Sequence, residues 1–218
     1  MSNRTIEDRL REEYFDLLPE IRRVLWQLEA EVRFHTLEIL HDLRDPEQLI
    51  VKSRVKDCES ALSSLVRRRG RRLSDGEGRR FDPETPEEYS LLSLEDLAGV
   101  RVLVFPNRRL NEIDRALRGH FQDWESKPIL DKGKVVLAPK YYGGFPRASP
   151  SVRGEYQIVP MLLGLFWEVE HSAMYKVRAV ANSKEMQDRR TDVERALARF
   201  EDGVERFIQT PLDNKKGC

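Results

Sequence analysis

Two carboxylates set among cations are the residues of this chain best suited to chemistry. Asp96 opens Asp96-Leu97-Ala98-Gly99-Val100-Arg101, and Glu155 opens Glu155-Tyr156-Gln157-Ile158. Apolar and β-branched residues run on from both, so each belongs at or in a strand. Side chains alternate along a strand, which sends Glu155 and Gln157 to the same face. Mg2+ prefers hard carboxylate oxygens and takes only one or two of them, keeping several waters. If the two strands are neighbours, one carboxylate could hold the ion. The other could share it or accept a proton from an attacking hydroxyl. Arg54 and Lys56, with Arg71, Arg72, Arg79 and Arg80, supply the positive charge a triphosphate requires. By spacing alone, the same residues also fit a capped strand end and a surface glutamate.

The elements that must position these groups are legible in outline. Glu7 to Leu43 carries apolar residues at three- and four-residue steps and reads as helix. Pro19 within it predicts a kink or the first turn of a second helix. Ile50 to Lys56 alternates, placing Lys52, Arg54 and Lys56 on one face if extended. Asp57 is the expected N-cap of a helix from Cys58 to about Arg69. Gly70 to Pro86 reads as a basic loop, and Ser93 as the cap of a short turn carrying Glu95 and Asp96. Strands are expected at Val100–Phe105, Lys134–Ala138 and Gly154–Val159, with a helix over Leu110–Phe121. Tyr142 to Pro150, rich in Gly and Pro, reads as a loop. Two helices close the chain: Met161 to about Val180, and Lys184–Ile208. The latter has an apolar stripe through Val193, Leu197, Phe200, Val204 and Phe207. The order predicts an α+β fold: a mixed β-sheet flanked by helices, with long N- and C-terminal helices. The expected divisions are an N-terminal helical segment (1–49), a core (50–182), and a C-terminal helix and tail (183–218).

Composition narrows the function. The 218 residues hold 38 Lys+Arg against 38 Asp+Glu, a formal net charge of +0, which argues against a globally basic nucleic-acid binder. Cys58 and Cys218 are too far apart and too few for a disulfide framework and read as free thiols of a cytoplasmic protein. No apolar stretch is long enough to span a bilayer. His35 and His41 lack partners at metal spacing along their helix, so zinc is not expected there.

Four segments together resemble the synthetase domain of RelA/SpoT proteins, over roughly Ile50 to Lys176. Arg54-Val55-Lys56-Asp57-Cys58-Glu59-Ser60 is similar to the family's Arg-x-Lys-x-x-x-Ser element. Asp96-Leu97-Ala98-Gly99-Val100-Arg101 is similar to its Asp-Leu/Ile-Ala-Gly-x-Arg element. Glu155-Tyr156-Gln157-Ile158 is similar to Glu-x-Gln-Ile, and Trp167 to His171 with Tyr175-Lys176 to Trp-Ala-x-x-Glu-His followed by Tyr-Lys.

The resemblance implies a nucleotidyltransferase-like fold and Mg2+-dependent transfer of pyrophosphate from ATP. The acceptor would be the 3′-hydroxyl of a guanine nucleotide (alarmone synthesis) or a related acceptor such as tRNA. It implies that Asp96 and Glu155 hold the metal and act in catalysis. Arg54, Lys56, Ser60, Arg101, Lys140, Tyr141, Tyr142, Gln157, His171 and Lys176 would bind nucleotide. Small members often assemble, so a homo-oligomer is expected. The alternative on the same fold is a silent domain that binds nucleotide or serves as an interaction module. The chain departs from the pattern on the acceptor side. Lys140-Tyr141-Tyr142-Gly143-Gly144-Phe145 stands where the family has Gly-Tyr-Arg-Ser-x-His. Tyr141, Tyr142 or Phe145 would then supply the stacking ring. Val159-Pro160 replaces Arg-Thr, and Ser64 stands where a lysine is expected.

Overall fold

The computed structural model of the chain describes residues 5–45, 47–72, 79–131, 135–175 and 184–209. In chain order its elements are α1 (Ile6–His35), α2 (Leu37–His41), β1 (Gln48–Val55), α3 (Cys58–Arg69), β2 (Arg71–Arg72), β3 (Arg79–Arg80) and β4 (Ala98–Phe105). They continue with α4 (Leu110–His120), β5 (Glu125–Ser126), β6 (Ile129–Asp131), β7 (Val135–Ala138), β8 (Lys140–Gly144), β9 (Arg153–Pro160), α5 (Met161–Tyr175) and α6 (Lys184–Gln209). Five strands form one mixed sheet in the order β1-β4-β9-β8-β5. Its central pair, β4 and β9, is parallel, and its other pairs are antiparallel. Among the described residues no helix is long and apolar enough to cross a membrane.

One face of the sheet is covered by α1, α3 and α4. Thr5 starts α1 with a capping box: its hydroxyl accepts from the Asp8 amide at 3.1 Å. The helix then buries Leu10, Tyr14, Ile21, Val24, Leu25, Leu28 and Val32. Leu28 and Val24 lie against Gly154, where even a methyl group would come within 3.3–3.4 Å of them. Tyr156, Val100, Val102 and Ile158 complete this core from the sheet. Among the described residues the other face is covered at one end, where Met161, Leu163 and Trp167 of α5 pack on Leu103 and Val159.

Four expectations are corrected. Pro19 does not start a second helix: it lies exposed inside α1, with Tyr14 and Ile21 buried on either side of it. The helix breaks at Thr36 instead, whose hydroxyl donates to Val32 O at 2.8 Å. The expected turn carrying Glu95 and Asp96 after Ser93 is not formed; a short turn lies instead at Leu91–Ser93, capped by Ser90. The segment read as a loop from Tyr142 begins as a strand, since β8 pairs with β9 across Lys140–Gly144. Gly143 there serves packing rather than turning, because Trp124 lies directly on it and an added Cβ would sit 2.3 Å from the indole. Val135–Ala138 is a strand as expected, but it pairs in a separate ribbon with β6.

Helix α6 docks on α5 largely through polar groups. Glu201 accepts from the Leu162 amide (3.0 Å) and from Asn107 (3.0 Å), and Glu194 accepts from the Trp167 indole N–H (2.9 Å). Glu170 pairs with Arg190 at 3.4 Å. Much of the apolar stripe is left facing outward: Val193, Phe200 and Phe207 are exposed.

Candidate active site

Strand register builds the site in two rungs. Directly paired residues on adjacent strands share a face. In the first rung Arg54 pairs with Gly99, Gly99 with Glu155, and Glu155 with Tyr142. In the second Lys52 pairs with Arg101, Arg101 with Gln157, and Gln157 with Lys140. A cation, a gap, a carboxylate and an aromatic ring thus stand in line, beside three cations and an amide. They occupy the half of the face that α5 leaves open. A cleft of about 300 Å³ is bounded there by Arg54, Gly99, Arg101, Glu155, Gln157 and Glu168.

Gly99 keeps the first rung open. A Cβ at this position would touch Glu155 Cγ at 3.6 Å and Arg54 Cγ at 3.9 Å. Glu155 is 5% exposed and accepts from Gln157 Nε2 at 2.8 Å. Tyr142 is its directly paired neighbour on β8. Gln157 in turn accepts from Arg101 Nε at 3.2 Å, which fixes its amide. Burial first, then the negative charge of Asp96, pushes the Glu155 carboxyl above its ordinary range against the pull of Lys140 and Arg54.

Asp96 lies just before β4, its backbone fixed by the buried Leu94 and Leu97 on either side. Its Oδ2 accepts from Lys56 Nζ at 2.6 Å and from Arg68 at 3.4 Å. Burial works to raise this carboxyl, but Lys56, Arg68 and Arg54 together hold it below its ordinary range. The two carboxyls are therefore driven apart in acidity, Asp96 toward its ionised form and Glu155 toward its protonated form. Asp96 Oδ1 is buried and has no hydrogen-bond partner among the described residues. A hard anionic oxygen left unpaired beside a second carboxylate fits a Mg2+ ligand.

A larger groove of about 850 Å³ continues past Arg54 along Lys56, Ser60, Arg67 and Asp96. Asp57 caps α3 as expected, accepting from the Ser60 amide at 2.9 Å, and so sets the Ser60 side chain on this groove's wall. The arginines of β2 and β3 form a short exposed ladder. Arg79 donates to the carbonyls of Arg67 and Arg68 near the end of α3, at 3.0 and 3.4 Å.

The structure thus brings together Arg54, Lys56, Ser60, Asp96, Arg101, Lys140, Tyr142, Glu155 and Gln157. Tyr141 it does not: one residue from Tyr142, it points to the opposite face, stacks on Tyr156 at 4.8 Å and donates to Asp114 at 2.7 Å. Phe145 is packed against Phe121 and Trp124. Of the three candidate stacking rings only Tyr142 faces the site, and its ring lies under Lys127 and Lys140 at 5.2 and 5.1 Å. The His171 side chain and Lys176 lie outside the described residues. Val159, where a cation was expected, is core beneath α5.

Glu168, which the sequence analysis did not single out, bonds Lys52 at 2.7 Å and approaches Arg101 at 4.0 Å. Burial first, then Arg54, holds the Arg101 guanidinium below its ordinary value, against the pull of Glu168 and Glu155. The helical phase of Glu168, one residue after the buried Trp167, was the available signal; the docking of α5 supplied the rest.

No protein-family model matches the sequence, and no curated relative does. Solved structures do match. The small alarmone synthetase 1 from Bacillus subtilis bound to its product pppGpp aligns over 90% of this chain and 96% of its own, at 16% identity and a TM-score of 0.64. The same protein bound to AMPCPP aligns over 89% and 96%, at 17% identity and a TM-score of 0.60. A GTP pyrophosphokinase family protein from Streptococcus pneumoniae aligns over 89% and 92%, at 20% identity and a TM-score of 0.58. The chain has the fold of the small alarmone synthetases.

Proposed function

We propose that the protein transfers pyrophosphate from ATP to the 3′-hydroxyl of a guanine nucleotide, or of a related acceptor such as tRNA, with Mg2+ as cofactor. The observation that carries this reading is the first rung, Arg54–Gly99–Glu155–Tyr142, with Asp96 beside it. Mg2+, held by Asp96 and Glu155, would neutralise charge on the polyphosphate. Arg54 and Lys56 bind its oxygens, with Lys56 exchanging its present contact with Asp96 for phosphate. Ser60 lies on the wall of the same groove. Glu155, raised in pKa and held by Gln157, takes the proton from the acceptor hydroxyl. The hydroxyl oxygen bonds to the β-phosphorus, the bond from that phosphorus to the α–β bridging oxygen breaks, and AMP leaves. Lys140 and Arg101 face the acceptor side, and the Tyr142 ring is placed to stack on a base if Lys127 and Lys140 move aside.

Self-association belongs to the same proposal, supported by the outward-facing Val193, Phe200 and Phe207 on α6. The test of activity is incubation with γ-labelled ATP, Mg2+ and, in turn, GDP, GTP and tRNA. Labelled acceptor is expected from the wild type and is lost in Asp96→Ala. No labelled product with any acceptor would reject the proposal, as would unchanged labelling by the variant.

A further inference from the structure

Two histidines end their helices at one place on the core side of the sheet. His35 is the last residue of α1, and His120 is the last residue of α4. Their rings lie 3.8 Å apart at 27°. Glu31, one turn before His35, reaches both: its Oε2 is 3.6 Å from His35 Nε2 and 3.2 Å from His120 Nε2. One donor atom from each of the three residues lies within 4.8 Å of the others. His35 therefore does have partners suited to a metal. Glu31 stands four residues before it on α1, and His120 comes from a separate helix.

The separations of the Glu31 carboxylate from the two imidazoles are those of a coordination sphere. Ligands at about 2.0–2.1 Å from a tetrahedral Zn2+ stand about 3.3 Å from one another. The two measured separations, 3.2 and 3.6 Å, bracket that value. Two imidazoles and one carboxylate suit Zn2+ and similar borderline ions rather than Mg2+, which takes oxygen ligands. Two helix C-termini converge here, and their partial negative charge favours a cation.

We propose that Glu31, His35 and His120 bind a Zn2+-class divalent cation that clips the end of α1 to the end of α4, with water completing the shell. All three side chains are about a third exposed, so an ion can enter without opening the core. Binding splays the stacked rings by side-chain rotation at two helix ends. Because α1 and α4 cover the face opposite Glu155, this site is separate from the transfer site and its occupancy is independent of that reading.

The test uses the full chain, freed of metal with a chelator and titrated with Zn2+ by calorimetry and with Co2+ by visible absorption. The expected result is one equivalent bound, a strong tetrahedral-type Co2+ spectrum and a raised thermal midpoint. His120→Ala and His35→Ala should lose at least about 100-fold in affinity, since loss of an outer-shell partner alone costs 10–100-fold. Glu31→Gln, which keeps the side chain's size, should weaken binding in the same direction. His41→Ala and Cys58→Ser should bind as the wild type does. Absence of saturable binding, or wild-type binding by a His120→Ala variant with an unchanged circular dichroism spectrum, would overturn the proposal.

Discussion

Glu155 combines features that work against each other in stability and together in function. It is a buried carboxyl that accepts from Gln157, and it feels the charge of a second carboxyl held below its ordinary range. A group whose pKa is raised on folding stabilises the native state below its unfolded value, near 4.5, and that contribution is lost as pH rises through the folded value. Glu155→Gln should therefore unfold at neutral pH no more readily than the wild type. The same variant should lose about 10²–10⁴-fold in transfer rate, the range for general base catalysis. In the wild type the rate should climb with pH through a pKa above the ordinary carboxylate value, and that limb should vanish in the variant. Thermal melts and a pH–rate profile check the two halves. At this scale the sequence was legible where parity alone decides: Glu155 with Gln157, and Lys52 with Arg54. It was not legible at Tyr141 and Tyr142. Which of two adjacent tyrosines meets Glu155 depends on the register of β8 against β9, which neither residue type encodes.

Elements carry the site through a few contacts that propensity does not reveal. β8 read as a loop because Gly143-Gly144 and the prolines after it are turn signals. Gly143 is instead a packing glycine on which Trp124 rests. Gly143→Ala should destabilise by about 1–3 kcal/mol, the usual penalty of overpacking, and should disturb Lys140 and Tyr142 on the neighbouring face. Urea unfolding measures the first effect and acceptor affinity the second.

The approach to β1 is fixed differently. The buried Glu47 accepts from Arg108, from Arg109 (2.8 Å) and from the Arg44 amide (3.1 Å), tying the entry of β1 to the start of α4. Burial works against its ionised form, but the two arginines and the amide bring its pKa down to about 2. A carboxyl lowered on folding stabilises the protein above its unfolded value, near 4.5, and loses that contribution as pH falls toward about 2. Glu47→Gln should cost about 2–4 kcal/mol at pH 7 and much less at pH 2–3, measured by urea unfolding at both values.

The whole molecule divides its sheet between two tasks. One face is closed by α1, α3 and α4 into a continuous apolar core, and the other is half covered by α5 and half given to charge. The order of helices and strands foretold a mixed sheet with helical flanks, because hydrophobic period and turn signals are local. Which face would stay open was hidden, since it depends on where α5 crosses after Pro160. On α6, the heptad-spaced Val193, Phe200 and Phe207 face outward while Glu194 and Glu201 face α5. Phe200→Glu with Phe207→Glu should therefore shift the sedimentation coefficient to that of a monomer, while a wild type that already sediments as a monomer would remove self-association from the proposal. The proposed reaction itself is tested most directly by quantifying AMP, ADP and acceptor product together from ATP, GDP and Mg2+. Pyrophosphate transfer at the Asp96–Glu155 site predicts AMP accumulating one for one with a pyrophosphorylated guanine nucleotide, and neither forming with Glu155→Gln. Accumulation of ADP instead, or equal AMP formation by wild type and variant, would contradict it.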